Sequence, residues 1–394
     1  MDLFDRCRNF TRAKETMAAG IYPYFKAIQS GAGSEVVIDG QKLIMIGSNN
    51  YLGLTNHPKV KEAAINAIER YGTGCTGSRF LNGTLDIHEE LEERLAAFVR
   101  KEAALVFSTG FQVNLGAIST IMGKDDLIFT DRSDHASIVD GCRLAFGKTI
   151  KYKHNDENDL DRVLEVNKDK DVGKIIVTDG VFSMEGDIVK LPELVELAEK
   201  YNTKVYVDDA HSIGVLGDHG RGTADHFGLN DRVDLIMGTF SKSFASLGGF
   251  IAGDEPVIHY IKHHSRALIF SASMPPSAVA TVLACLDIME SDTERMEQLW
   301  NNTRKMKEGF DSMGFNTIQS QTPIIPILIG EDEDCFFFWK QLFDHGIFAN
   351  TAISPAVPPH EALIRTSFMA THTEEQLDKV LDVFHKVGKQ IGII

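Results

Sequence analysis

The chain has 394 residues, 43% hydrophobic and 24% charged, enough to bury a large core and unlike collagen, disordered or coiled-coil sequences. Its 40 basic and 56 acidic residues give a formal net charge of −16, which argues against a general nucleic-acid binder, because neutralising phosphates needs a basic surface. Five scattered cysteines (Cys7, Cys75, Cys142, Cys285 and Cys335) form no CxxC pair, so neither a disulfide framework nor a zinc site is expected.

In chain order, residues 1–45 read as a helix followed by a short hairpin, EVVIDGQKLIMI, turning at Asp39-Gly40. The opening MDLFDRCRNFTRAKETM alternates charged and apolar residues, unlike a signal peptide. No apolar run approaches the ~18 residues of a membrane span, so a cytoplasmic location is expected. A segment of this size holds no core alone and is expected to pack on the C-terminal part. Residues 86–100 read as a helix, with Asp86 and Glu89 as its capping box.

From there ALVFS (104–108), LIFTD (127–131), IIVTDG (175–180), VYVDDA (205–210) and LIMGTF (235–240) read as buried strands. They lack polar alternation, as expected when helices cover both faces of a parallel sheet. Helical patterns over 111–123, 135–146, 157–168 and 190–201 separate them. The expectation is a doubly wound α/β domain over 46–275 with a mostly parallel central sheet. Residues 276–394 change character: long helices surround strands near PIIPILI (323–329) and ALIRTSF (362–368), a smaller α+β domain. Thr373 and Gln376 are expected to cap a final helix reaching about 390.

Two nucleotide-site patterns are near misses. Gly72 to Gly77 fits GxGxxG but follows a helix instead of a strand, and Gly141 to Lys148 has one residue too many for a P-loop. Both are expected to be turns. VFSTGFQVN (106–114) takes a strand through Gly110 into a helix start near Phe111, where backbone N–H groups form an anion site or an ordinary βα loop. VYVDDAHSIG (205–214) places Asp208, Asp209 and His211 at a strand's carboxyl end. Asp208 and His211 lack an obvious third ligand for a metal, and none is expected. They fit a carboxylate facing a cationic ring nitrogen with a nearby donor, or else a capping Asp and a core His. GTFSKSFASLGGF (238–250) sets Lys242 among small and hydroxylic residues after another buried strand. Desolvation lowers a lysine's pKa and frees its amine as a nucleophile, while Thr239 and Ser241 offer hydroxyls to a phosphate. An anion cup, a carboxylate and a buried lysine at strand ends of one sheet are the parts that pyridoxal 5'-phosphate requires.

At these residues the sequence resembles the α-oxoamine synthase family of fold-type I pyridoxal phosphate transferases. The likeness runs from SNNYLGL (48–54), through YGTGCTGSRFLNGT, GTFSKSFASLGGF and FSASMPPS (270–277), to LIRTSF (363–368). It implies decarboxylative condensation of a small amino acid with an acyl-CoA thioester. The nearest branch condenses L-serine with palmitoyl-CoA to 3-oxosphinganine, CoA and CO2, opening sphingolipid synthesis. Glycine or alanine with a shorter acyl-CoA is the alternative within the family. A fold-type I aminotransferase lies further off, and a regulatory subunit without chemistry fits poorly with a lysine at 242.

The resemblance also implies roles. Lys242 would bind the cofactor covalently and carry the Cα proton, Asp208 would pair with the ring nitrogen, and His211 would donate to the ring oxygen. His135 would stack on the ring face. Gly110, Phe111, Thr239 and Ser241 would hold the phosphate; relatives often carry tyrosine where Phe111 stands, so that hydroxyl is missing here. Arg365 would take the substrate carboxylate, with Asn50 and Ser183 as secondary candidates. Ser271 and Ala272 would reach the phosphate of a second subunit, which implies a homodimer. Weak contact with a membrane surface is a further expectation, since the product would be a lipid.

Overall fold

The five apolar runs read as strands are members of one sheet in a computed structural model that describes residues 2–394. Two short strands come first, β1 (Glu35–Ile38) and β2 (Gln41–Met45), joined through Asp39 and Gly40, both at positive φ as a tight hairpin turn requires. The large sheet comprises β3 (Ala103–Phe107), β4 (Leu127–Asp131), β5 (Lys148–Tyr152), β6 (Lys174–Asp179), β7 (Lys204–Asp208), β8 (Leu235–Thr239) and β9 (Gly249–Gly253). Their spatial order is β3-β9-β8-β7-β6-β4-β5, and β9 runs antiparallel to both of its neighbours. Two of the seven strands escape the pattern reading. β5 is an edge strand with exposed lysines in KTIKY, and β9, GFIAG, is short and glycine-flanked.

Both faces of this sheet are covered. Ala104, Val106 and Phe129 join one apolar cluster, whereas Leu105, Phe107 and Ile128 join another across the sheet. That two-sided burial explains why these strands read as continuous apolar runs.

The C-terminal part adds β10 (Ile324–Gly330), β11 (Ile347–Phe348), β12 (Asn350–Ala352) and β13 (Ala362–Ser367). β10, β13 and β12 form an antiparallel sheet, while β11 pairs in parallel with β2. The N-terminal hairpin thus shares a core with C-terminal residues: Val36, Ile38 and Ile44 pack in one cluster with Phe310, Trp339 and Phe384.

Two local expectations are corrected. The helix Asp86–Phe98 is capped one residue earlier, where the Leu85 N–H donates to His88 Nδ1 at 3.0 Å. Asp86 is drawn away to Tyr71 and Arg70, at 2.6 and 3.0 Å. Gly141 sits inside the helix Ala136–Leu144 instead of a turn, where a Cβ would lie 2.8 Å from the Asn114 carbonyl. Its glycine serves close helix packing. The Thr373–Gln376 box forms as expected and opens the helix Glu374–Ile391.

Candidate active site

The carboxyl ends of β3, β6, β7 and β8 converge on a cavity of about 280 Å³. Thr109, Gly110, Phe111, His135, Asp208, His211, Thr239, Ser241 and Lys242 all line it. Parallel strands place such residues together because each βα connection opens at the same end of the sheet.

Asp208, the last residue of β7, is 2% exposed. Its Oδ2 accepts from Asn114 Nδ2 at 2.7 Å and its Oδ1 from the Ala210 N–H at 3.0 Å. Asn114 is aimed in turn by the Tyr206 hydroxyl, which donates to its Oδ1 at 2.6 Å. Asp209, next in sequence, points elsewhere and accepts the Thr223 N–H and hydroxyl. The strand's alternation separates a cavity carboxylate from a structural one.

Asp179, which no sequence motif marks, ends β6 in register with Asp208 and lines the same cavity. Its Oδ2 accepts the His135 N–H at 2.8 Å. Burial, together with Asp208, pushes its carboxyl well above the usual range.

Lys242 lies just beyond β8. Burial brings its amine down to about 7, with Asp208 and Asp179 opposing the fall and Arg365 reinforcing it. A free amine near neutral pH is what a Schiff-base lysine needs. Burial likewise lowers the imidazoles of His135 and His211. His135 caps the helix Ala136–Leu144 and holds Ser137 Oγ at 2.7 Å, and His211 Nδ1 lies 2.7 Å from the Tyr51 hydroxyl.

The floor of the cavity suits an anion. Thr109 Oγ1 caps the Gln112 N–H of the helix Gly110–Ile121, leaving the first two N–H groups, those of Gly110 and Phe111, without an intrahelical acceptor. A Cβ at position 110 would stand 2.4 Å from Thr239 Oγ1, so only glycine allows this approach. Thr239 and Ser241 bring their hydroxyls within 3.0 Å of one another. Phe111 contributes its backbone and a ring edge-on to His135, with centroids 6.4 Å apart.

An adjoining cavity of about 700 Å³ shares His135, Ser183, His211 and Lys242 and adds Tyr24, Asn49, Arg365 and residues 350–356. Arg365 projects from the middle of β13, 5% exposed. Its Nε donates to the Ser183 carbonyl at 2.6 Å, but its Nη2 is buried without a partner among the described residues. A buried unpaired guanidinium nitrogen is costly unless an anion completes it.

Asn50 does not reach either cavity. Its amide donates to Thr55 Oγ1 at 2.8 Å and Ala32 O at 3.3 Å, and accepts the Leu54 N–H at 3.1 Å. The preceding Asn49 lines the larger cavity instead. Ser271 and Ala272 lie outside both linings; Gln112 Nε2 donates to Ser271 Oγ at 2.9 Å, and Ser108 Oγ donates to the Ala272 carbonyl. Asn114 and Tyr51, like Asp179, become visible only once the fold brings distant segments together.

The residues present therefore fit pyridoxal phosphate: free helix N–H groups over glycine for the phosphate, a buried carboxylate for the ring nitrogen, and a desolvated lysine. Among the described residues, no helix is long and apolar enough to cross a membrane.

The comparisons agree with this geometry. Residues 41–384 match the aminotransferase class I and II family. A serine palmitoyltransferase of Sphingobacterium spiritivorum is 54% identical over 99% of this chain and 98% of its own length. An 8-amino-7-oxononanoate synthase of Thermoanaerobacter pseudethanolicus is 47% identical over 97% of each. A serine palmitoyltransferase structure from S. paucimobilis, bound to a PLP–myriocin aldimine, superposes with a TM-score of 0.96 at 37% identity, covering 100% of both chains. The chain thus belongs to the aminotransferase class I and II family and, within it, to the α-oxoamine synthases, fold-type I enzymes that depend on pyridoxal 5'-phosphate.

Proposed function

We propose that the protein condenses L-serine with palmitoyl-CoA, releasing CoA and CO2 and forming 3-oxosphinganine. The observation that carries this is the pairing of a desolvated Lys242 amine with the unpartnered Nη2 of Arg365 across joined cavities. The 54% identity to a serine palmitoyltransferase supports serine and a long acyl chain.

Pyridoxal phosphate, when bound, supplies the electron sink that lets an amino-acid Cα lose a proton or a carboxylate. Lys242 would hold the cofactor, with Asp208 at its ring nitrogen, His211 at its ring oxygen, His135 on its face, and Gly110, Phe111, Thr239 and Ser241 around its phosphate. Arg365 receives the serine carboxylate through a planar fork that a lysine lacks. That grip fixes the orientation of the amino acid at Cα, and so which of its bonds is presented for cleavage. Lys242 takes the Cα proton. After Cα bonds to the thioester carbon and the CoA thiolate leaves, reorientation at Arg365 lets the carboxylate depart as CO2. Lys242 then returns a proton to Cα. Ser183, lining both cavities, borders this end of the substrate.

In this reading the enzyme is a cytoplasmic homodimer, organised as segment 1–45, a cofactor domain 46–275 and a smaller domain 276–394. Ser271 and Ala272 face the partner's phosphate. Exposed Phe270 and Leu247, the latter on the cavity rim, support a covering copy. A fully active monomer in sedimentation would remove this part. Delivery of a lipid product also suits transient contact with a membrane surface.

The test is thiol release from palmitoyl-CoA by cofactor-loaded protein given serine, glycine or alanine. Release that depends on serine is expected. Release only from shorter acyl-CoA with glycine or alanine would move the assignment to another α-oxoamine synthase. Amino transfer to a keto acid without thiol release would make it an aminotransferase.

A further inference from the structure

Tyr51 is 1% exposed and belongs to no step described above. Its hydroxyl lies 2.7 Å from His211 Nδ1 and 3.5 Å from Asn49 Oδ1. Arg365 lines the same cavity as His211, the residue Tyr51 touches; burial pushes the phenol up to about 12, and the Arg365 cation opposes that rise. The phenol is therefore neutral, with one proton to give. The cation favours the oxygen lone pairs and turns that proton away, toward the closer acceptor, His211 Nδ1.

His211 is held neutral. Burial is the main cause, reinforced by Lys242 beyond β8, Arg365 on β13 and His135 at its helix start. A neutral imidazole carries one N–H, and the hydrogen bond at one nitrogen decides the position of the proton on the other. His211 lines both cavities, and its Nε2 has no side-chain or backbone partner among the described residues.

We propose that Tyr51 is a positioning residue: oriented by Arg365, it donates to Nδ1 of His211 and fixes the Nε2–H tautomer, whose proton faces the cofactor. The substrate-carboxylate arginine and the cofactor-side histidine are thereby ends of one directed chain, Arg365 to Tyr51 to His211. Engaging a carboxylate at Arg365 alters what His211 donates, so the electronic state of the bound cofactor senses the substrate. This rests on the functional reading above.

The experiment uses protein labelled with ¹⁵N-histidine, the His211 signal being assigned by its loss in His211→Asn. An Nδ1 shift typical of an unprotonated acceptor and a protonated Nε2 are expected, with and without pyridoxal phosphate. A protonated Nδ1 overturns the proposal, and this readout needs no active enzyme. In parallel, Tyr51→Phe should move the pH midpoint of the bound cofactor's visible absorption and weaken the spectral response to L-serine roughly three- to tenfold. An unchanged midpoint and serine response in a variant that loads cofactor normally overturn it too. Failure of the wild-type protein to load cofactor at all sinks the functional reading instead, while the nitrogen shifts still decide the tautomer.

Discussion

The large sheet and the small one contribute to the same site by different means. The seven-stranded sheet offers strand ends: Asp208 and Thr239 are the last residues of their strands, and Lys242 follows β8 closely. The antiparallel sheet β10-β13-β12 offers Arg365 from mid-strand, paired on one side with Pro326 and on the other with Asn350. A strand-end residue is positioned by its own βα connection. A mid-strand residue is positioned by its whole sheet, and here by how that sheet packs on the other. The Arg365 Nε bond to the Ser183 carbonyl is one tie between them. Under the proposed function this becomes a division of labour, with cofactor chemistry on the mostly parallel sheet and substrate grip on the antiparallel one.

The largest effect is expected at the lysine. Lys242→Ala should lower thiol release at least about a thousandfold and abolish the visible absorption of bound cofactor. A yellow, normally loaded variant would remove Lys242 from its role. Next in size, Asp208→Asn keeps the shape but loses the charge proposed to face the ring nitrogen. Turnover should fall roughly a hundred- to a thousandfold, with serine affinity less affected, as a kcat measurement beside serine titration can show.

Arg365→Lys probes the other half. It should raise the serine KM roughly ten- to a hundredfold while cofactor loading stays normal, because charge remains but the planar fork is lost. Equal damage to loading would mean that the two sheets do not divide the work as described.

Stability should separate from chemistry at His154, which sits between Asp131 and Asp187 at 3.0 and 3.3 Å. Burial works against its charge, but hydrogen bonds to those two carboxylates prevail and raise it to about 10. A raised folded value means stability fully present below the unfolded value near 6.5 and lost as pH climbs through about 10. His154→Gln should therefore lower Tm on the order of 5 °C at pH 6, with the gap closing toward pH 10. A gap that widens with pH would reverse the argument.

The smallest effect distinguishes neighbours. Asn50→Ala should cost about 1–2 kcal/mol of stability through its lost hydrogen bonds yet leave the serine KM within roughly twofold. Asn49→Ala should do the opposite.

Legibility in the sequence followed the same division. Asp208, His211 and Lys242 could be singled out because each follows an apolar run that announces a buried strand. β5 and β9 were missed because edge lysines and a short glycine-bounded segment blur the signal. His135 and Arg365 acquired roles only through family likeness, since a loop histidine and a strand arginine carry no local mark. Asn114, Asp179 and Tyr51 went unread because their meaning depends on partners far away in the chain: Asp208, His135 and His211. Asn49, which lines the larger cavity, carries no mark of its own in the sequence, because no periodic pattern in SNNYLGL says which amide turns inward.

The most direct test of the account follows the carboxyl carbon. Cofactor-loaded protein would receive palmitoyl-CoA and L-serine labelled with ¹³C at the carboxyl, and labelled CO2, CoA and the long-chain product would be quantified together. Equal amounts of all three are expected, with a product free of label, and none of them from Lys242→Ala. Label retained in the product, or CoA released without CO2, would contradict it.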